Sequence, residues 1–101
     1  MAEQEFYTAI GTDIEAAVQS QMFGKSCFKL NGKAFICFFQ NSIVCKLTGI
    51  IHQDALNLEG SILFDPSGKK RPMKEWVQIP YAHKEQWKHF ALEALKYVAG
   101  Q

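Results

Sequence analysis

No apolar run in this sequence approaches the ~20 residues that a helix needs to cross a bilayer. Internal repeats, low-complexity tracts and Pro/Gly/Ser-rich linkers are also missing, so residues 1–101 are expected to form one domain. An excess of one charge is lacking too. Eleven Lys and Arg against ten Asp and Glu leave a formal +1, and a polyanion would have to be met by a local patch. The opening MAEQEFYTAIGTDIE is acidic and has no basic-then-apolar order of a secretory leader, which makes the cytoplasm the expected compartment.

Chemical signatures are equally sparse. The chain has no Gly-x-Ser-x-Gly, no Walker loop and no dinucleotide fingerprint. Its carboxylates are scattered, with no spacing that aims two of them at one point. There are three cysteines but no Cys-x-x-Cys, and His52, His83 and His89 lie on other segments. No metal set, cofactor or catalytic residue is read from this pattern.

What remains is a composition of 48% apolar and 21% charged residues, the balance of a soluble globular protein. Phe6, Ile10, Ile14, Ala17 and Val18 recur at helical spacing. Gly11 interrupts them, and Thr12 with Glu15 offers a capping box, so the segment reads as one bent helix or a helix, a break and a short turn. Next come MFGKSCFKL, KAFICFFQ and IVCKL, rich in aromatic and β-branched residues and separated by Asn31-Gly32 and Asn41-Ser42. Asn-Gly is a strong two-residue hairpin signal, because both central residues of that turn need positive φ. IIHQDALNLEG reads as a short helix closed by Gly60, followed by strands SILF and MKEWVQI. Trp87, Ala91, Ala94, Leu95 and Val98 then stripe a last helix. The expected class is α+β: an antiparallel sheet of about five strands, with an N-terminal, a short middle and a C-terminal helix packed on it.

Two-residue turns at both sites fix a register. Phe28 should face Phe35, Cys27 face Ile36, Phe38 face Cys45 and Cys37 face Lys46. Cys27, Ala34, Ile36, Phe38, Ile43, Cys45 and Leu47 then share one face. Phe28, Leu30, Phe35, Cys37, Phe39 and Val44 share the other, with Lys46 among them. Both faces are apolar, which asks for more cover than three helices give and makes a partner chain the suggested cover. In this register no two cysteines come within disulfide reach, and all three read as small buried hydrophobes.

The richest stretch is FDPSGKKRPMKEWVQIP, Phe64 to Pro80. Asp65-Pro66-Ser67-Gly68 suits a type I turn at every position. Lys69, Lys70 and Arg71 follow on its flank, and Pro72 suits an edge strand. On that reading the cations protect an edge from unwanted pairing. Strand alternation also puts Trp76 beside Lys74, near the basic loop, and a tryptophan among cations can stack bases or hold an anion. With Lys46, these residues (Lys69, Lys70, Arg71, Lys74 and Trp76) are the expected nucleic-acid or ligand contacts.

MFGKSCFKLNGKAF, then KL, then FDPSGKKRPMKEWVQIP and WKHFALEALKYV together resemble the TfoX/Sxy N-terminal domain family, to which the YjbR/MmcQ group is related. The likeness runs from Met22 to Val98. It is carried by Met22, Phe23, Gly24, Gly32, Lys33, Phe35, Lys46, Leu47, Phe64, Pro66, Met73, Trp76 and the terminal helix. The resemblance implies an antiparallel sheet with helices packed on it, no catalytic residues, and a link to regulation of competence genes alongside a transcription activator. Three functional expectations follow. The first is a non-enzymatic, stand-alone module acting through protein contacts, with a protein partner or a homodimer. The second is a nucleic-acid-binding domain using the basic 69–76 segment. The third is a ligand-binding protein or enzyme with a pocket between the sheet and the last helix.

Overall fold

The computed structural model describes residues 2–22, 24–66, 68, 70 and 72–100. Helix α1 spans Ala2–Asp13 and strand β1 Val18–Met22; β2 (Lys25–Leu30), β3 (Lys33–Phe39) and β4 (Ser42–Lys46) follow. Helix α2 spans Gly49–Leu56, then come β5 (Ile62–Phe64), β6 (Met73–Pro80), a 3-10 turn at Tyr81–His83, and α3 (Lys84–Ala99). The six strands form one antiparallel sheet in the order β1-β2-β3-β4-β6-β5. The α+β class and the three helices are as expected, with one strand more. No helix among the described residues is long and apolar enough to cross a membrane.

The additional strand is β1. The helical stripe stops at Asp13, short of Ala17 and Val18, and Ala16 takes a left-handed φ of 77° that turns the chain into the sheet. Helix α1 runs through Gly11 and Thr12, so no capping box starts a second helix there. Gly11 stays helical for a packing reason: a Cβ at this position would lie 2.2 Å from the Phe28 ring. Met22 pairs with Lys25, closing a tight hairpin at Gly24, whose φ is +72°.

The Asn31-Gly32 turn forms as expected, with φ values of 51° and 81°. The register beyond it does not. Leu30 faces Lys33 and Lys29 faces Ala34, but Phe28 then faces Ile36, leaving Phe35 as an extra residue in β3. Such a bulge sets two consecutive side chains on one face, and Phe35 and Ile36 both enter the helix-side core. The whole of β2 is thereby reversed relative to the expected register. Phe28 and Leu30 join the helix side, while Cys27 and Ala34 move to the other. The second turn is also one residue earlier, at Gln40-Asn41 (φ 49° and 60°), so Phe38 faces Ile43 and Cys37 faces Val44. That slip leaves side-chain parity unchanged, and Ile36, Phe38, Ile43, Cys45 and Leu47 share a face as expected.

All three helices pack on that face. Tyr7 and Ile10 of α1, Ala55 of α2, and Trp87, Phe90, Ala91, Ala94 and Val98 of α3 are buried against it. Each large apolar side chain so buried contributes about 1.5–3 kcal/mol. Phe6, Tyr81 and Trp87 add edge and tilted ring contacts with centroids 5.4–6.0 Å apart, and Trp87 Nε1–H donates to the Pro80 carbonyl at 3.0 Å. This bond ties the first turn of α3 to the end of β6.

The opposite face closes on itself. Phe39 on β3 and Phe64 on β5 stack edge-to-face with centroids 5.2 Å apart, although β4 and β6 lie between their strands. In a flat sheet those strands would stand about 14 Å apart. The sheet is therefore strongly curled, and its concave side is filled by Cys27, Cys37, Val44, Phe64 and Trp76, with Met22, Ala34, Phe39 and Met73 around them. The side chains of this face are buried within the single chain.

Candidate functional site

The basic stretch after β5 is anchored as its sequence predicts. Gly68 N–H donates to both the Asp65 carbonyl (3.3 Å) and Asp65 Oδ1 (3.1 Å), bracing the turn. Lys70, at φ 60°, and Lys74 are exposed. Lys69 and Arg71 lie outside the described residues. Pro72 comes just before the first paired residue of β6, and β6 is an internal strand between β4 and β5 rather than the edge expected. Strand alternation places Trp76 on the side of Gln78, as read from sequence, but that side is the curled interior. Trp76 is 6% exposed, among Cys27, Cys37 and Val44. It is a core residue and offers no face to a base.

Lys46 is the Cα partner of Trp76 across β4 and β6, yet its ammonium lies 5.8 Å from the Tyr97 ring centroid. A cation over an aromatic face is held by the ring quadrupole, here by about 0.5–1 kcal/mol. The Tyr97 hydroxyl donates to Glu75 Oε2, and the Leu47 N–H donates to the Glu75 carbonyl at 2.7 Å. Beside this cluster, a cleft of about 220 Å³ lies between α2 and α3, lined by Leu47, Thr48, Ile51, Glu93, Lys96 and Tyr97. The pocket expected between the sheet and the last helix is a different place, since this cleft is walled mainly by α2 and α3. Ligand pockets run from about 300 to 1,000 Å³, so this cleft suits at most a small ion or fragment. Lys96 also pairs with Glu93 at 3.4 Å, which shares its charge within the wall.

Two of the three histidines are engaged in holding the fold. His52 Nε2 meets the Lys74 carbonyl at 2.7 Å, tying α2 to β6, and His83 Nε2 meets the Glu59 carbonyl at 2.7 Å. A carbonyl only accepts, so both imidazoles carry their proton on Nε2. Cys27, Cys37 and Cys45 are free thiols, all fully buried. Burial raises each of them, Cys37 to about 12, and a thiol held protonated is a poor nucleophile. Among the described residues no group of His, Cys, Asp and Glu is arranged to hold a metal ion.

The feature that sequence reading missed is the edge formed by β1. Its partner on one side is β2, and no strand among the described residues pairs with its other side. The strand reads Val-Gln-Ser-Gln-Met, without a charge or a proline, and Val18 is 64% exposed. A groove of about 470 Å³ runs beside it, lined by Gln4, Gln19, Ser20, Gln21, Gly24 and Ser26. The opposite edge, β5, has only three residues. Little in the sequence signals β1: Val18–Met22 is apolar only at its two ends, and Gly24 at a hairpin position is the one cue.

Compared with family models, curated proteins and solved structures, the chain matches none of them.

Proposed function

We propose that this protein is a non-enzymatic interaction module, regulatory in the manner the TfoX N-terminal resemblance implies, which acts by lending the free edge of β1 to a protein partner. The observation that carries this reading is the bare chemistry of that edge. Monomeric proteins blunt their edges with Lys, Pro, bulges or very short strands, and β5 is short in that sense. Strand β1 has five residues and none of these devices. An extended segment added there would gain main-chain hydrogen bonds along the strand, with side-chain contacts from the polar groove beside Gln19 and Gln21. The engagement of His52, His83 and the three thiols supports a binding role over a chemical one.

The test is site-specific photocrosslinking in living cells. A benzophenone side chain at Gln19, on β1, should form protein adducts; one at the exposed Gln86 of α3 should not. Equal adduct formation at both positions, or none at Gln19, would overturn the reading.

A further inference from the structure

We infer that the partner of β1 is the β1 of a second copy, forming a two-fold dimer with its axis at Ser20. This rests on the docking reading above and names its occupant. The first support is the strand's own symmetry. Read from either end about Ser20, β1 presents apolar, Gln, Ser, Gln, apolar. Antiparallel pairing of two copies about that point sets Val18 opposite Met22, Gln19 opposite Gln21 and Ser20 opposite Ser20. Cross-strand neighbours share a face. Gln19 and Gln21 lie on the helix side, paired with Phe28 and Ser26, so they would form an amide layer there. Val18, Ser20 and Met22 would meet on the concave side, where Met22 already packs at the rim of the core.

The second support is the strand's freedom from charge. Within the strand no charge opposes its like, because it has none.

The third support is closure. Pairing β1 with the short β5 edge of another copy would be head-to-tail and leave both free ends to propagate. Pairing β1 with β1 uses the same patch twice and stops at two chains. The six-stranded sheet would become one continuous sheet of both copies, with all helices on one side.

The oligomeric state of the purified chain tests this. Light scattering and sedimentation should show a mass twice the 11.5 kDa of the chain, falling toward the monomer on dilution. Ser20→Lys sets two ammonium groups against each other on the axis and should raise the dimer dissociation constant at least about tenfold. A Ser20→Cys variant provides a second readout. Under oxidised glutathione two such thiols form one intermolecular disulfide and release two molecules of reduced glutathione, while the native thiols are buried. Crosslinking should be fast for Ser20→Cys and slow for Ile62→Cys, on the other edge. A monomer at all concentrations up to about 1 mM, or equal crosslinking at both edges, overturns the second copy as occupant. If the Gln19 photoprobe then still captures a different protein, the docking reading stands without it; if it captures nothing, both fall.

Discussion

Cys27 faces Cys37 directly across β2 and β3, because the extra residue Phe35 turns β2 over. Cross-strand Cα atoms of an antiparallel pair lie about 4.5–5.5 Å apart, within disulfide range. Cys45 stands on the opposite face, opposite Ile36. Both facing thiols are fully buried and burial keeps them protonated, so the native protein should resist oxidation. Refolding from urea in oxidised glutathione should instead trap a Cys27–Cys37 disulfide, with Cys45 left free on peptide mapping. A dominant bond to Cys45 would mean that the bulge is misplaced.

The contrast between the two halves of this hairpin shows what the sequence could carry. Asn31-Gly32 names its own turn, since left-handed φ at both positions suits these two residues. The bulge has no such mark. In Ala-Phe-Ile-Cys-Phe-Phe any residue can be the extra one without exposing a polar group, and the register adopted is the one in which Tyr7 packs its ring 5.6 Å from Phe28 and 5.4 Å from Phe38. Strand β1 was hidden because Val-Gln-Ser-Gln-Met has little strand propensity of its own and is held by pairing with β2. The side to which Trp76 points was legible from alternation, but its burial depends on the curl of the whole sheet.

Gly11 provides a sharp test of helix-to-sheet packing. In an exposed helix, Gly→Ala stabilises by about 0.5–1 kcal/mol. Here the added methyl would sit 2.2–2.4 Å from three carbons of the Phe28 ring. Gly11→Ala should therefore lose about 1–3 kcal/mol in urea denaturation, as overpacking does. Adding Phe28→Leu should recover part of that loss. A Gly11→Ala protein at least as stable as the parent would refute the close approach of α1 to β2.

Trp76 separates a core role from a nucleic-acid role. Packed at 6% exposure against Cys27, Cys37 and Val44, it should cost about 3–5 kcal/mol when cut to Ala. The Lys70→Ala/Lys74→Ala double variant, both residues being exposed, should stay within about 0.5 kcal/mol of the parent. Fluorescence anisotropy with duplex and single-stranded DNA at low salt should show no binding by the parent. Binding that weakens with salt at about 0.9 log units per contact, and that is lost in the lysine variant, would restore the nucleic-acid reading.

The buried thiols set an alkaline limit to stability. Desolvation pushes Cys37 up to about 12 and also raises Cys27 and Cys45, while a thiol of the unfolded chain ionises near 8.5. Below about 8.5 both states hold the proton and the contribution is fully present. Above it the unfolded chain loses the proton and the folded chain keeps it, so stability falls as pH rises toward the folded value. From Cys37 alone the loss should reach about 2 kcal/mol by pH 10, at about 1.4 kcal/mol per pH unit. Tyr7, raised by burial and donating its hydroxyl proton to the Ser26 carbonyl, steepens the fall once the unfolded chain's tyrosines ionise. Urea titrations at pH 7.5, 9 and 10 read the slope. Cys37→Ala should be less stable at pH 7.5 and yet lose less between pH 9 and 10. Parallel slopes for parent and variant would show that Cys37 is reached by solvent, and the closed concave face would be wrong.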